Sequence, residues 1–256
     1  AYFGDVHIHT GLSADAMLFG SRTEPNDAYA FATGQPIDIF RGMTNFTKPL
    51  SVQLERPLDF AAVTDHAENI GTVSLCLDPE SEVYNTKDCQ FVREPLPSDS
   101  MASFSSKLSK QFFTMYASKE ICGDDHQRCI DAIQTPWKKI QVAAKQWNDP
   151  CEFSTLVGYE YSSTNEGSNL HHNVLFRTDE VMHEPISMRV APDPFELYRR
   201  LKTECNDTDT GCRAIAIPHN SNISNGKMLR VDYPTAKNKK EKRALAQLRQ
   251  DIIPII

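Results

Sequence analysis

The sequence predicts an α/β fold in which parallel strands alternate with helices. Short segments rich in β-branched and aromatic residues recur along the chain, and longer segments that begin with helix caps or an early proline lie between them. A chain of 256 residues can bury roughly 70–75 % of its unfolded surface, which is enough for one large barrel or sandwich or for two small domains. Parallel strands in such folds are expected to be buried on both faces.

Five segments are predicted to form strands, and five others are predicted to form helices. The predicted strands are 2–9, 59–64, 154–161, 172–176 and 214–217. The predicted helices are 24–33, 104–120, 130–147, 193–205 and 237–250. The stretch 78–103 is rich in Pro, Ser and Asp and is expected to be a surface insertion or a lid. Since no internal repeat or convincing boundary divides the chain, we predict a single domain over residues 1–256.

The composition excludes several classes of protein. With 40 % hydrophobic and 24 % charged residues, the chain is typical of a globular protein rather than a disordered one. Its apolar stretches fall far short of the ~20 residues that a bilayer span requires, so no membrane partner is predicted. A net charge of −7 argues against a nucleic-acid partner, although metal ions in a local pocket could still hold a small anionic substrate.

The seven cysteines indicate an oxidising compartment. None has the C-x2-C spacing of a structural zinc site, and three local pairs would each close a short polar loop. The predicted disulfides join Cys76 to Cys89, Cys122 to Cys129 and Cys205 to Cys212, with Cys151 left over. Seven reduced thiols in a cytosolic protein are the alternative. The chain starts at Ala1 without a methionine, as expected after removal of a signal peptide, so we favour a periplasmic or secreted protein.

The first predicted strand carries a pair of histidines. Alternate side chains of a strand share a face, so His7 and His9 are expected to point the same way, as one half of a Zn, Mn or Fe site. Two solvent-facing histidines on an edge strand are the alternative, which the apolar neighbours Val6 and Ile8 disfavour. Asp15, in the adjoining loop, is either a ligand of a further cation or only a turn residue.

The second motif lies where the apolar strand 59–64 ends in Thr-Asp-His. Such strand ends are where α/β folds place their sites, so His66 is predicted to bind a metal ion. Asp65 is expected to orient a ligand or to assist proton movement. A surface or helix-capping role for Glu68 is as consistent with the sequence as a catalytic one.

Two further motifs follow in the second half of the chain. Glu160 lies at the tip of an apolar strand, and because burial of an unpaired carboxylate is costly, a position between two metal ions would suit it. Next comes the pair His171 and His172, of which His171 is the predicted ligand and His172 a structural or substrate-facing neighbour. His219 ends the strand 214–217 after a proline, and Asn220 follows it. The sequence does not choose a proton-transfer group among Asp65, His172, His219 and Asn220.

Taken in order, these motifs resemble the PHP superfamily, the metal-dependent phosphoesterases named for polymerase and histidinol phosphatase domains. The matched motifs are His7-x-His9, Thr64-Asp65-His66, Gly158-x-Glu160, a histidine before a strand, and Pro218-His219. Segments 2–10, 27–32 and 63–68 also resemble a large group of poorly characterised, often exported bacterial PHP-like proteins. The resemblance implies a distorted seven-stranded (β/α) barrel, in essence a TIM-like barrel, whose strand ends hold two or three Zn, Mn or Fe ions.

The resemblance also implies a distribution of ligands among the ions. A first ion would be held by His7, His9 and Glu160. Glu160 would bridge to a second ion, which His171 and His219 share.

His66 would bind a third ion, but Asp15 stands where many relatives have a histidine, which weakens that assignment. The family's last acid-x-His motif has no counterpart after His219, and the chain stops within an apolar stretch at 251–256. We therefore expect a portion of a longer protein, with the barrel incomplete at its C-terminus.

The function that these expectations favour is a metal-dependent hydrolase of phosphate esters, in which a di- or trinuclear site activates water. An amidohydrolase-type enzyme or a hydrolase of sulfate or carboxylic esters is a second interpretation, although no carboxylated-lysine candidate lies at a strand end. A third is a binding module that keeps its metal ions without turnover.

Overall fold

A computed structural model describes residues 1–39, 50–164, 167–219, 221–229 and 236–254. The chain forms two compact units, Ala1–Thr155 and Leu156–Ile256. None of the helices within the described ranges has the length and apolar character that crossing a bilayer demands.

Within its described residues, the first unit combines a parallel sheet, a small hairpin and eight helices. Its strands are β1 (Gly4–Ile8), β2 (Ile37–Ile39), β3 (Leu50–Val52), β4 (Phe60–Val63) and β5 (Ser154–Thr155). Its helices are α1 (Ala14–Leu18), α2 (Pro25–Ala32), α3 (Ile70–Leu77), α4 (Lys87–Arg93), α5 (Met101–Ala117), α6 (Lys119–Cys122), α7 (Gln127–Asp131) and α8 (Gln134–Trp147). β1, β4 and β5 pair in parallel in the order β1-β4-β5, and β2 pairs with β3 antiparallel.

β4 is the most buried strand of the parallel sheet. Its residues Ala61, Ala62 and Val63 are fully buried, as expected of a parallel strand covered on both faces. The ladder continues just beyond it, where the N–H of Thr64 donates to the carbonyl oxygen of Ile8 at 2.8 Å. β1 and β4 therefore end side by side, and the residues that follow them emerge at the same edge of the sheet.

Two disulfides stabilise the helical part of the first unit. Cys76–Cys89 joins α3 to α4, and Cys122–Cys129 joins α6 to α7, with all four residues in one buried core cluster. Gly71 permits the close packing of α3, because a Cβ atom there would lie 2.1 Å from the carbonyl oxygen of Cys129. The stretch 78–103, for which we predicted a surface insertion, contains α4 and contributes buried side chains to this core.

The second unit is built on an antiparallel sheet of three strands. They are β6 (Gly158–Ser163), β7 (Leu170–Phe176) and β8 (Ala214–His219), in that order. Helices α9 (Pro194–Leu201) and α10 (Lys239–Ile252) complete the unit, with a π-helical turn at Lys202–Asn206 and a 3-10 turn at Ser221–Ile223. α9 starts where the Asp193 carboxylate accepts two backbone N–H bonds and Pro194 occupies the first helical position.

The predicted barrel is wrong. The described residues form one parallel sheet of three strands and two antiparallel sheets, and they close no barrel. The segment 154–161, predicted as one strand, divides between β5 and β6, which belong to different sheets. β7 cannot follow β6 in parallel, because the residues 164–169 between them are too few for a crossover connection.

The positions of the elements were predicted better than their topology. Every predicted strand contains or overlaps an observed one, and every predicted helix overlaps α2, α5, α8, α9 or α10. All three predicted disulfides are confirmed, including Cys205–Cys212 in the second unit, and Cys151 is a free, exposed thiol. Three intramolecular disulfides are typical of extracellular proteins.

Candidate metal centres

The first candidate centre lies where β1 and β4 end. His9 follows β1 directly, and His66 follows β4 after two residues. Since Ile8 pairs with Val63 across the two parallel strands, the two histidines emerge at one edge of the sheet. Their ring centroids are 4.8 Å apart. The pairing of the two strands thus brings His9 next to His66, although the sequence resemblance assigned these two histidines to different ions.

Asp15, in the first turn of α1, lies between these imidazoles. Its Oδ2 atom is 2.9 Å from Nδ1 of His9 and 3.7 Å from Nε2 of His66. Its Oδ1 atom accepts hydrogen bonds from the Ser13 hydroxyl and from the N–H of Ala16, both at 2.7 Å. Burial alone would raise the pKa of Asp15, but the hydrogen bonds and positive charges of His66 and His9 hold it far below its usual range. The residues His9, Asp15 and His66 are called the first cluster below.

Asp65 fixes the loop that carries His9. Its carboxylate is fully buried and accepts two bonds from Thr10, one from the backbone N–H at 2.5 Å and one from the hydroxyl at 2.8 Å. Burial raises the pKa of Asp65 to about 6, although the two Thr10 bonds oppose that shift. Asp65 therefore ties the residue after His9 to the residue before His66.

Two more predicted or suspected groups lie beside the first cluster. His7 is exposed, with its ring centroid 4.7 Å from that of His9. Glu68 is buried, and its Oε2 atom is 3.7 Å from Nδ1 of His66. The register of β1 against β4 shifts between Asp5 and Ile8, so His7 lies in an irregular part of the strand.

The second candidate centre is created by the register of the antiparallel sheet. Ser162 of β6 pairs with His171 of β7, and His171 pairs with His219 of β8. Paired residues share a face of the sheet, and Glu160 lies two residues before Ser162, so all four side chains occupy one face. The residues Glu160, His171 and His219 are called the second cluster below.

The Glu160 carboxylate is the centre of the second cluster. Nδ1 of His171 contacts its Oε1 atom, and Nε2 of His219 is 3.3 Å from the same oxygen. The Ser162 hydroxyl donates to Oε1 at 3.2 Å. The Glu160 side chain is entirely buried, whereas those of His171 and His219 are 13 % and 22 % exposed. A buried carboxylate in this setting needs positive charge, from imidazolium or from a metal ion.

His172 lies on the opposite face of β7 from His171. It is fully buried, and its Nε2 atom shares a hydrogen bond of 2.6 Å with the Tyr198 hydroxyl of α9. Burial lowers the pKa of His172 to about 3, and the charges of His219 and His171 add to the shift. His172 is therefore a neutral imidazole that connects the sheet to α9, behind the face that carries the second cluster.

Both clusters suit a divalent transition-metal ion. Each offers two imidazoles and one carboxylate, a ligand set found in zinc and non-haem iron enzymes. Ligand atoms about 2.0–2.2 Å from one tetrahedral ion lie about 3.4 Å from each other. The carboxylate-to-imidazole distances of 2.9 and 3.7 Å in the first cluster and 3.3 Å between Glu160 and His219 in the second are close to that separation, whereas the contact between Glu160 and His171 is shorter.

The structure brings together most of the sequence-predicted residues, in two groups. His9, Asp15 and His66 meet in the first unit, and Glu160, His171 and His219 meet in the second. Asn220, a proton-transfer candidate, lies outside the described residues. Sequence reasoning missed the partners of these buried polar groups. Ser13 and Ser162 bond the carboxylates of the two clusters, Thr10 bonds Asp65, and Tyr198 bonds His172. Of these, Ser162 had a usable signal, because it lies two residues after Glu160 on the same strand.

Comparison with known proteins gives one match. The family described as "Protein of unknown function (DUF3604)" matches residues 1–256. No curated protein and no solved structure matches the chain. The resemblance to the PHP superfamily stays a prediction.

Proposed function

The chain belongs to the DUF3604 family of proteins of unknown function, and we propose that it is a metal-dependent hydrolase of phosphate esters. The observation that carries the proposal is the presence of two clusters, each with two imidazoles around one carboxylate. The first cluster lies beyond the ends of β1 and β4, and the second lies on one face of the antiparallel sheet. The sequence resemblance to PHP phosphoesterases supports the choice of a phosphoryl substrate. The cofactors in this proposal are two or three Zn, Mn or Fe ions, because imidazole and carboxylate suit all three metals.

The proposed ligands are the first cluster in one unit and the second cluster in the other, with His7 as a further candidate. When bound, the ions supply Lewis-acid polarisation of a phosphoryl oxygen and a water molecule of lowered pKa. Glu160 and Asp15 contribute the negative charge that retains the ions. Ser162 and Ser13 orient those carboxylates through hydrogen bonds.

The buried polar residues around the clusters are proposed to be positioning residues. Asp65 uses both carboxylate oxygens on Thr10, and His172 uses Nε2 on Tyr198. Full burial keeps both side chains from contact with a substrate in water. Of the described proton-transfer candidates, this leaves His219, whose side chain is 22 % exposed.

The proposed location is the periplasm or the cell exterior. Three disulfides support an oxidising compartment, and each closes a loop within a single unit. A signal peptide, removed before the protein matures, would complete this proposal.

The test is a hydrolysis screen of the full chain after loading with Zn²⁺, Mn²⁺ or Fe²⁺. We expect release of inorganic phosphate from phosphomonoesters or phosphodiesters, with competitive inhibition by phosphate or vanadate. Glu160→Gln is expected to abolish the rate, while Tyr198→Phe, which leaves both clusters intact, should retain it. Hydroxamate inhibition with no effect of vanadate would favour an amidohydrolase instead. Bound metal with no turnover across the panel would contradict the proposal and favour a binding module.

A further inference from the structure

A large cavity in the first unit opens beside His7 of β1 and His9, which follows that strand. Its volume is about 880 Å³, within the range of roughly 300–1,000 Å³ that is usual for small-molecule sites. His7 and His9 contribute to its lining at one side. The remaining walls come from α1 and the loop after it, from α2, from the β2–β3 hairpin and from the segment that leads into β4.

Apolar side chains dominate these walls. The cavity is lined by Phe19, Phe31, Ile39, Val52, Leu54 and Leu58, among others. Phe19 is 58 % exposed, and the other five are only partly buried. Partly exposed apolar side chains that converge on one concave surface mark a binding site more often than a random patch of surface.

The charge of the lining is equally informative. Within the described part of the chain, neither lysine nor arginine lines the cavity, and Asp5 is its one carboxylate. A polyanionic ligand such as a nucleotide would find no cation among these described lining residues and would meet the carboxylate of Asp5. An uncharged hydrocarbon group would instead gain from the removal of apolar surface from water.

We propose that this cavity binds the hydrocarbon part of the substrate, so that the substrate is a phosphate ester of a hydrophobic alcohol. The inference rests on the proposed function, since the phosphoryl group would be held at the histidine side of the cavity and the alkyl or aryl group along the apolar walls. Hydrolysis of such an ester breaks a P–O bond. Water supplies the oxygen that the phosphate gains and the proton that the released alcohol gains.

The test measures binding rather than turnover. Unbranched alkylphosphonates from methyl to octyl, which cannot be hydrolysed, are titrated by calorimetry into the metal-loaded full chain. Burial of each methylene predicts a decrease in Kd of about fourfold at full burial, and we expect two- to fourfold for each added carbon until the cavity is filled. A Kd that does not change with chain length would overturn the inference.

Two variants locate the effect in the cavity. Ala28 on α2 lines the cavity, so the larger side chain of Ala28→Leu should fill part of it. We expect octylphosphonate binding to weaken by about tenfold and methylphosphonate binding to change by no more than about twofold. Ala30→Leu is the matched control, because Ala30 lies on the same helix but does not line the cavity. Val52→Thr keeps the side-chain shape and replaces a methyl group of the lining by a hydroxyl group, so it should weaken octylphosphonate binding even if Ala28→Leu fails to fold. Equal effects of Ala28→Leu and Ala30→Leu would contradict the assignment.

The outcomes separate this inference from the proposed function. Phosphoester hydrolysis with a flat chain-length series would sustain the proposed function and refute the hydrophobic substrate. A steep chain-length series without any phosphoester hydrolysis would sustain the apolar binding site and refute the proposed function.

Discussion

The two units assemble the same set of two imidazoles and one carboxylate by different backbone geometry. In the first unit, two parallel strands end side by side, and the ligands follow in the loops beyond β1 and β4 and in the first turn of α1. In the second unit, Glu160, His171 and His219 lie within antiparallel strands, and the cross-strand register places them on one face. Loop-borne ligands depend on tethers such as the Asp65–Thr10 pair, whereas strand-borne ligands are fixed by the ladder itself.

The carboxylates of the two clusters differ in their exposure to water. The Asp15 side chain is 33 % exposed and accepts bonds from Ser13 and Ala16, while the Glu160 side chain is 0 % exposed. A partly solvated carboxylate tolerates the absence of a cation, but a fully buried one does not. We therefore expect the second cluster to depend more strongly on a bound ion than the first.

Glu160→Gln is expected to have the largest effect. The substitution removes the only negative charge of the second cluster, so metal affinity there should decrease by at least about 100-fold, and turnover should decrease with it. In the wild type, a free metal concentration of about 100 times the Kd should stabilise the fold by about 2.7 kcal/mol, which corresponds to an increase in Tm of roughly 5–10 °C. Calorimetric titration and thermal unfolding with and without metal would measure both effects. A Glu160→Gln variant that kept its metal-dependent increase in Tm would contradict the claim that the second cluster depends more strongly on a bound ion than the first.

Ser162→Ala is the matched control for Glu160→Gln. Ser162 donates to the same Oε1 atom but is not a ligand, so its loss should weaken metal binding by only about tenfold. Equal losses in the two variants would mean that the carboxylate acts only through its hydrogen bonds.

Asp15→Asn is expected to have a smaller effect than Glu160→Gln. The amide oxygen can still accept from Ser13 or Ala16, and solvent reaches the site, so we expect a decrease in metal affinity of about 10- to 100-fold. The measurement is the same calorimetric titration. A loss larger than that caused by Glu160→Gln would contradict the difference in exposure on which the comparison rests.

Asp65→Ala tests the tether of the first cluster. It leaves the Thr10 N–H without its acceptor in a fully buried position, which should lower the free energy of unfolding by about 1–3 kcal/mol. Thr10→Val keeps the backbone N–H bond to Asp65 and removes the hydroxyl group, which donates to Asp65 and accepts from the N–H of Leu12 at 3.2 Å, so it should cost less than Asp65→Ala. Urea unfolding of the metal-free chain gives the stability, and metal titration shows whether His9 and His66 are still held. No change in either quantity would show that Asp65 positions nothing.

Tyr198→Phe should have the smallest effect. It removes the hydroxyl that bonds the buried His172, at a cost of about 0.5–1.5 kcal/mol in the free energy of unfolding. Because His172 lies on the opposite face from the second cluster, metal content should not change. Loss of metal in this variant, measured by elemental analysis, would contradict the assignment of His172 to a structural role.

The sequence predicted the strands better than their directions. Apolar runs that begin or end beside a histidine or a carboxylate located β1, β4, β6, β7 and β8, since burial leaves a direct mark on the sequence. The direction of β7 had a signal that the prediction did not use, namely the short connection from β6. β2 and β3 have only three residues each, and every residue of α3 is buried or partly buried, so neither the hairpin nor the helix has a usable periodicity.

The candidate site was predictable residue by residue but not as an arrangement. Histidines and carboxylates beside apolar strands pointed to the individual members of both clusters. The resemblance grouped them differently, with His9 beside His7 and Glu160 and with His66 at a third ion. The bond from Asp65 to Thr10 and the bond from His172 to Tyr198 join segments that are distant in sequence, and no local pattern encodes them. The apolar cavity was also missed, since its lining comes from helices, strands and loops that only the fold brings together.

Elemental analysis of the purified full chain tests the central claim most directly. The protein is expressed with export to an oxidising compartment, exposed to equimolar Zn²⁺, Mn²⁺ and Fe²⁺, and separated from free ions. We predict about two bound ions per chain in the wild type, an unchanged content in Tyr198→Phe, and a lower content in both Glu160→Gln and Asp15→Asn, with the larger loss in Glu160→Gln. A folded wild-type chain that retains no transition metal, or a content that neither carboxylate variant lowers, would contradict the account.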